Sequence, residues 1–164
     1  LTAHPSPTLF WLLSAPTSSP IELTVVDDEA IEPLLQLRLP GPVEAGLHAL
    51  DLSALGVVLP PDKTVRWFVA LIHDPLRRSR DALAEGAIER IAPAAPARAL
   101  AADGTAAERS AALRDAARHD AEQGRWYDAL AALARAIELA PGDRALVADR
   151  EALLAQAKLG IAVP

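Results

Sequence analysis

The apolar residues of this chain change their spacing once, between about residues 93 and 104. Before that point they alternate with polar residues in short segments that proline and glycine interrupt. After it they recur every three or four residues. Alternation is typical of half-buried β-strands, and the longer spacing is typical of amphipathic α-helices. The sequence therefore predicts a segregated α+β fold, with an antiparallel β-sandwich over residues 1–93 and helices over residues 94–164.

Short segments of the first part carry the strand pattern, and turns such as Pro40-Gly41-Pro42 separate them. The predicted strands cover residues 9–13, 21–25, 35–39, 50–52, 65–72 and 84–91. The fifth of these is apolar on both faces, so we expect a central strand that is covered on each side. Short strands with such turns indicate an antiparallel sandwich. The placement of its tryptophans favours, by analogy, immunoglobulin or fibronectin type III character.

Three residues add detail to the predicted sandwich. Trp11 lies in the first strand and Trp67 in the fifth, and we expect the two indoles to meet in one core. Gly86 lies in the last strand, where a glycine permits a bulge or a close backbone approach.

The second part of the chain contains the helical segments. Thr105 and Glu108 form a capping-box pattern, which marks the start of a helix that Gly124 ends. The predicted helices cover residues 105–123, 126–140 and 144–158, and the alanine- and proline-rich segment before them has room for a short one over residues 97–100. The sequence thus predicts three or four helices.

The charge of the chain limits its partners. The net charge is −6 and the pI is about 5.2, so no large basic field is available to hold a nucleic acid backbone. No apolar run approaches the roughly 20 residues that a membrane span needs. We therefore expect neither a nucleic acid partner nor a membrane span. The chain begins at Leu1 and contains no methionine, and we interpret it as a processed or truncated piece.

No residue pattern of this chain points to catalysis or to a cofactor. The absence of cysteine excludes disulfides, thiolate nucleophiles and cysteine-based metal sites. The four histidines show no metal-ligand spacing. His73 and His119 each precede an aspartate, but neighbouring side chains diverge on a strand or a helix. A serine elbow and a phosphate-binding glycine loop are both missing. We predict no enzyme activity, no cofactor and no metal site.

Two groups of large side chains are candidate protein-interaction sites. Arg77, Arg78 and Arg80 form the basic cluster of the chain, in the loop after the fifth strand, and arginines there can grip a carboxylate. The alternative is a solvated loop that neighbouring aspartates neutralise. Trp126 and Tyr127 begin the second long helix, and such aromatic residues often anchor interfaces. Their alternative role is structural, as a bridge between the helices and the sandwich.

The second long helix and the turn before it resemble the second half of a tetratricopeptide repeat. The match consists of Gly124, an aromatic residue two positions later, the small Ala129 and Ala136, and the closing Pro141. Asp120 departs from the pattern, because that position is usually aromatic. A single helical pair cannot bury its own apolar face. We therefore expect these helices to pack on the sandwich, on the third helix or on a partner.

Motifs along the whole chain resemble those of the bacterial domain-of-unknown-function 928 family. They lie in the same order at residues 4–11, 65–69, 88–91 and 124–130, with a leucine-rich helix after the last. The resemblance covers nearly the full chain. It implies an exported bacterial protein, periplasmic or secreted, with a signal peptide upstream. The family has no established activity, so the resemblance assigns no catalytic residue.

These observations lead to one functional hypothesis and two alternatives. We expect a non-catalytic, exported interaction or scaffolding protein of the bacterial envelope, whose partner is another protein. The first alternative is an enzyme or a small-ligand carrier with a site at the junction of the sandwich and the helices. That site requires His73, Asp74, Arg90 and Tyr127 to converge. The second alternative is a structural subunit of an envelope assembly, which would self-associate.

Overall fold

A computed structural model describes residues 1–92 and 104–157 of the chain. In this part the strands precede the helices, which confirms the segregated α+β prediction. The strands are β1 (Thr8–Leu13), β2 (Ile21–Asp27), β3 (Leu35–Leu39), β4 (Gly46–Asp51), β5 (Thr64–Leu71) and β6 (Ala82–Glu89). The helices are α1 (Ala106–Glu122), α2 (Trp126–Leu139) and α3 (Arg144–Ala157). The short helix predicted over residues 97–100 lies outside the described residues.

The strands form two antiparallel sheets. The larger sheet has the order β3-β2-β5-β6, and the smaller one pairs β1 with β4. The fourth strand is longer than predicted, since its backbone pairs with β1 from Gly46 to Asp51. Its side chains alternate only weakly between buried and exposed, so the sequence pattern did not reveal its full length. The immunoglobulin or fibronectin type III character of the sandwich stays a prediction.

The two sheets share one hydrophobic core. Alternate residues of each strand face inward, so β1 contributes Leu9, Trp11 and Leu13. The other buried members are Ile21, Leu23, Val25, Leu52, Val57, Leu59, Val65, Trp67, Val69, Leu71 and Ile88. Trp11 and Trp67 both belong to this core, as predicted.

The helices form a third layer on the outer face of the smaller sheet. Phe10 of β1 is buried in a second hydrophobic cluster with Leu113 of α1, Leu130 and Leu133 of α2 and Leu146 of α3. Leu47 of β4 packs against the same cluster. Strand β1 is thus covered on both faces, with the larger sheet on one side and the helices on the other. The division into two domains at residue 93 stays a prediction.

Strand β5 was predicted to be covered on both sides, and its outer face is covered only in part, because Ala70 is buried whereas the end at Arg66 is open. The strand is central, between β2 and β6. On the outward side, however, the Arg66 side chain is 48% exposed and Phe68 is half-buried. The Arg66 guanidinium lies 5.4 Å from the centre of the Phe68 ring and shields it. Within the described residues, Phe68 on the outer face of β5 is therefore covered by an arginine and not by a third layer.

Helices α1 and α2 form an antiparallel hairpin. The predicted capping box is present, because the Glu108 amide donates to the Thr105 hydroxyl at 3.2 Å and the Thr105 amide donates to the Glu108 carboxylate at 2.8 Å. The turn between the helices uses Gly124 at φ +72°, a conformation that favours glycine. Among the described helices none is both long enough and apolar enough to cross a membrane.

Candidate functional site

The first turn of α2 reaches into the sandwich through Tyr127. The smaller sheet has two strands and the larger sheet has four. Tyr127 packs against the hydrophobic core that the two sheets share. Its phenol oxygen accepts a hydrogen bond from Trp67 Nε1 at 2.9 Å and donates one to the Ala87 carbonyl at 3.1 Å. The hydroxyl thus joins α2 to both β5 and β6.

Gly86 makes this contact possible. It pairs with Trp67 across the β5–β6 ladder, and a Cβ atom on it would lie 2.5 Å from Trp67 Cε2. The indole therefore lies flat over the glycine, with its nitrogen turned toward Tyr127. This is the close approach that the sequence predicted at Gly86.

Burial raises the pKa of Tyr127, and the hydrogen bond from Trp67 opposes that shift. An ionised phenolate here could not donate to the Ala87 carbonyl. The neutral form is therefore the one that fits both contacts.

The next residue of α2, Asp128, holds the N-terminal segment. Its buried carboxylate accepts hydrogen bonds from the Thr2 hydroxyl and, at 2.7 Å, from the Ala3 amide. Thr2 is itself fully buried, and its backbone bridges β6 by donating to the Glu89 carbonyl at 3.0 Å and accepting from Ile91 at 2.9 Å. The segment is therefore tied to the sheet by its backbone and to the helix by Asp128.

Arg125 and Trp126, in the same turn, contact residues of the helical layer. The Arg125 guanidinium donates to Asp120 at 2.9 and 2.7 Å and lies 3.9 Å from Asp128. Asp120, which departs from the tetratricopeptide pattern, is thus the partner that holds Arg125. Trp126 is half-buried against the helical cluster, whereas its neighbour Tyr127 packs against the sandwich core. Consecutive residues of one helix point about 100° apart, which lets the pair contact two cores.

The other candidate residues lie in the loop between β5 and β6, beyond the end of the ladder at Leu71 and Ala82. Arg78 pins the loop to the sheet, because it donates to Glu22 at 2.7 Å and also to Asp81. The hydrogen bond to Glu22, followed by that to Asp81, raises the pKa of Arg78. Arg77 lies 3.9 Å from Asp74.

The outer side of this loop faces solvent. Arg80 is exposed, and in the described part of the chain it forms no ion pair. Leu76 at the tip is 93% exposed. Sequence reasoning named the arginines but missed Leu76, because a single leucine in a polar loop carries no periodic signal. The result is a cationic tip with an apolar apex.

The four residues of the predicted junction site do not converge. His73 follows the end of β5 at Leu71 and contacts Ser19 through Nδ1 at 3.2 Å. Arg90 follows the end of β6, where Glu89 pairs with the first residue of β5, and it donates to the Leu59 carbonyl at 2.9 Å. The strands thus separate His73 and Arg90 to opposite ends. Tyr127 lies between them and already has two partners.

The remaining histidines are dispersed. His48 stacks on Trp11 with ring centroids 5.4 Å apart, and its Nε2 contacts the Glu44 carbonyl at 2.9 Å. His4 lies in the N-terminal segment and His119 lies in the last turn of α1. Within residues 1–92 and 104–157, no three histidine or acidic side chains are grouped closely enough to hold a metal ion.

Comparison with known proteins gives one match. None of the curated proteins and none of the solved structures that were compared matches the chain. A family model described as "Domain of Unknown Function (DUF928)" matches residues 1–163. The match spans the strands, the aromatic turn of α2 and all three helices. The chain therefore belongs to the DUF928 family.

Proposed function

We propose that this protein is a non-catalytic interaction or scaffolding protein of the bacterial envelope, and that it binds another protein through the loop between β5 and β6. The exposed Leu76 beside the outward Arg77 and Arg80 carries this proposal. An apolar apex that arginines surround is a common composition for a protein contact, in which arginine and large apolar residues are enriched.

The loop is suited to binding because it is fixed before a partner arrives. Arg78 is held by Glu22 on β2 and by Asp81 at the start of β6. The backbone amides of Arg80 and Asp81 donate to the carbonyls of the short turn before them. A pre-ordered loop loses less conformational entropy on binding than a free one. Arg77, Arg80 and Leu76 remain available to the partner.

The aromatic pair of α2 plays a structural part in this proposal. Trp126 packs with the helices, and Tyr127 hydrogen-bonds to Trp67 and Ala87. Side chains that already join two layers cannot turn outward without breaking those contacts. We therefore assign the binding surface to the loop and the joining of the layers to the pair. The resemblance to the DUF928 family, which implies an exported protein, supports the periplasmic or secreted setting of this proposal.

A pull-down with purified bait tests the interaction. Wild-type protein is compared with the double variant Arg77→Ala/Arg80→Ala in native envelope extract. The matched control is Arg109→Ala/Arg118→Ala, which removes two exposed arginines from α1 and changes the charge equally. We expect a protein that wild type and control recover and that the loop variant loses at least tenfold. Equal recovery by all three baits would contradict the assignment to the loop, and localisation of the native protein in the cytoplasm would contradict the envelope setting.

A further inference from the structure

The larger sheet carries two contrasting ends. β2 and β5 are antiparallel, and Asp27 pairs with Val65 while Ile21 pairs with Leu71. The turn after β2 and the loop after β5 therefore emerge at opposite ends. With seven paired residues between them, at roughly 3.3–3.4 Å per residue, the two ends lie about 20 Å apart.

The exposed aliphatic side chains concentrate at these ends. Ile31, at the apex of the turn after β2, is fully exposed, and Val58 lies in the segment that leads into β5 at the same end. Leu76 is at the apex of the opposite loop, and Leu83 is the second residue of β6, where it pairs with Ala70. Ile31 and Leu76 are the most exposed large apolar residues of the described part. Each end thus offers an apolar apex.

The charges of the two ends are opposite in sign. The Ile31 end carries the carboxylates of Asp27, Asp28, Glu29, Glu32 and Asp62. Lys63 pairs with Asp27 and Glu29 there, and Arg66 pairs with Asp28, so the end keeps a negative excess. At the Leu76 end, Arg78 pairs with Glu22 and Asp81, Arg77 lies 3.9 Å from Asp74, and Arg38 faces Glu22 across the β2–β3 ladder. With the exposed Arg80, the arginines of this end exceed its carboxylates by one. Within the described residues Glu32 and Arg80 form no ion pair, so each is available across a contact.

We propose that the Leu76 loop of one molecule binds the Ile31 turn of a second copy, so that the protein assembles head to tail. The two surfaces have opposite charge and each presents one exposed aliphatic residue, which is the complementarity that such a contact needs. Because the two surfaces differ, the contact is heterologous, and each added molecule leaves one free end of each kind. The product is an open linear chain. This inference rests on the proposed protein-binding role of the loop and names its partner as the same protein.

The size of the two contact surfaces determines the affinity that we expect between two molecules. Each is a loop tip rather than a broad face, and small interfaces are weak and transient. We expect a dissociation constant between about 1 µM and 1 mM. Since charges contribute, added salt should weaken the association, because the Debye length falls to roughly 3 Å at 1 M salt.

Sedimentation of two complementary variants tests the proposal. One variant, Leu76→Asp/Arg80→Glu, disables the basic end, and the other, Ile31→Ser/Glu32→Ser, disables the acidic end without making it basic. We expect wild type to grow beyond dimers as its concentration rises, and each variant alone to stay monomeric. An equimolar mixture of the two should form dimers and nothing larger, because it retains one intact contact. All four positions are exposed, so these substitutions should leave the melting temperature unchanged. The single variants Arg80→Glu and Glu32→Ser replace a double variant that melts early.

Several outcomes would overturn the proposal. Wild type that stays monomeric up to millimolar concentration excludes the contact, and a variant that dimerises alone indicates a symmetric interface instead. A mixture that fails to dimerise excludes the pairing of these two ends. If wild type is monomeric while the loop recovers a different envelope protein, only the self-association is wrong. If the loop recovers nothing either, the proposed function is also wrong.

Discussion

The indole nitrogen of Trp67 donates a hydrogen bond to the hydroxyl of Tyr127 at 2.9 Å, although 60 residues separate the two in sequence. Trp67 belongs to the central strand β5 and Tyr127 to the first turn of α2. The same hydroxyl donates to the Ala87 carbonyl on β6. One oxygen therefore links the larger sheet to the helical layer, which packs on the opposite sheet.

Replacing Tyr127 with phenylalanine should destabilise the fold by about 1–3 kcal/mol, because the indole N–H of the buried Trp67 loses its acceptor. The Ala87 carbonyl also loses a partner, but its residue is exposed and solvent can replace that hydrogen bond. Urea denaturation measures the free energy of unfolding. Ser19→Ala is the control, since it removes an exposed hydroxyl that contacts His73 and should change stability by less than about 0.5 kcal/mol. Equal effects of the two substitutions would show that the hydroxyl of Tyr127 adds nothing to stability.

The ionisation of Tyr127 provides a pH test. Because burial raises its pKa, the folded state binds the phenolic proton more tightly than the unfolded chain, whose tyrosine ionises near pH ~10. This contribution to stability is complete below that pH and is lost as pH rises through the folded pKa. Tyr127 is the only tyrosine, so tyrosinate absorbance reports it alone. We expect the midpoint of tyrosinate formation in the folded protein to lie at a higher pH than in the unfolded chain. Tyr127→Phe should lose less stability than wild type as the pH rises through this range.

Gly86→Ala tests the packing of the indole. The added methyl group would lie 2.5 Å from Trp67 Cε2, so the ring must move and its hydrogen bond to Tyr127 must lengthen. We expect a loss of about 1–3 kcal/mol and a changed near-ultraviolet circular dichroism of tryptophan. Gly142→Ala is the matched control, because no atom lies within 4 Å of its added methyl group. If Gly86→Ala were as stable as wild type, the indole of Trp67 could move to another position without loss of stability.

The contact between Asp128 and Thr2 should appear as a coupling energy. In a double-mutant cycle of Asp128→Asn and Thr2→Val, we expect the two losses to be non-additive by about 0.5–3 kcal/mol, because the side chains share one buried hydrogen bond. The control cycle uses Asp51→Asn and Ser53→Ala, an exposed pair that is also hydrogen-bonded. Its coupling should be smaller than about 0.5 kcal/mol. Additive effects at Asp128 and Thr2 would contradict a direct link between the N-terminal segment and α2.

Local signals predicted much of this fold, because they depend on neighbours in sequence. The capping box of Thr105 and Glu108 and the stop at Gly124 use contacts within a few residues. The alternation along β2 likewise revealed which residues it buries. Such features can be recognised without knowledge of the tertiary structure.

Long-range choices could not be predicted in the same way. Phe10 and Phe68 both lie on strands with apolar residues on two faces, yet only Phe10 is covered by the helices. The outcome depends on which sheet the helices pack against, and the periodicity of a strand does not contain that information. The partner of Asp128 lies 126 residues away at Thr2, beyond any local pattern. The sequence identified the aromatic turn as important but could not separate the two contacts of Trp126 and Tyr127.

Trp126→Ala separates a structural role of this turn from a binding role. The side chain is half-buried in the helical cluster, so its removal should cost about 2–4 kcal/mol and lower the melting temperature. Any loss of partner recovery should then follow the unfolded fraction and disappear on cooling. Arg77→Ala/Arg80→Ala should do the reverse, melting like wild type while losing the partner at every temperature, since both side chains are exposed. A Trp126→Ala protein that melts like wild type but fails to bind would place the interaction surface at the aromatic turn instead.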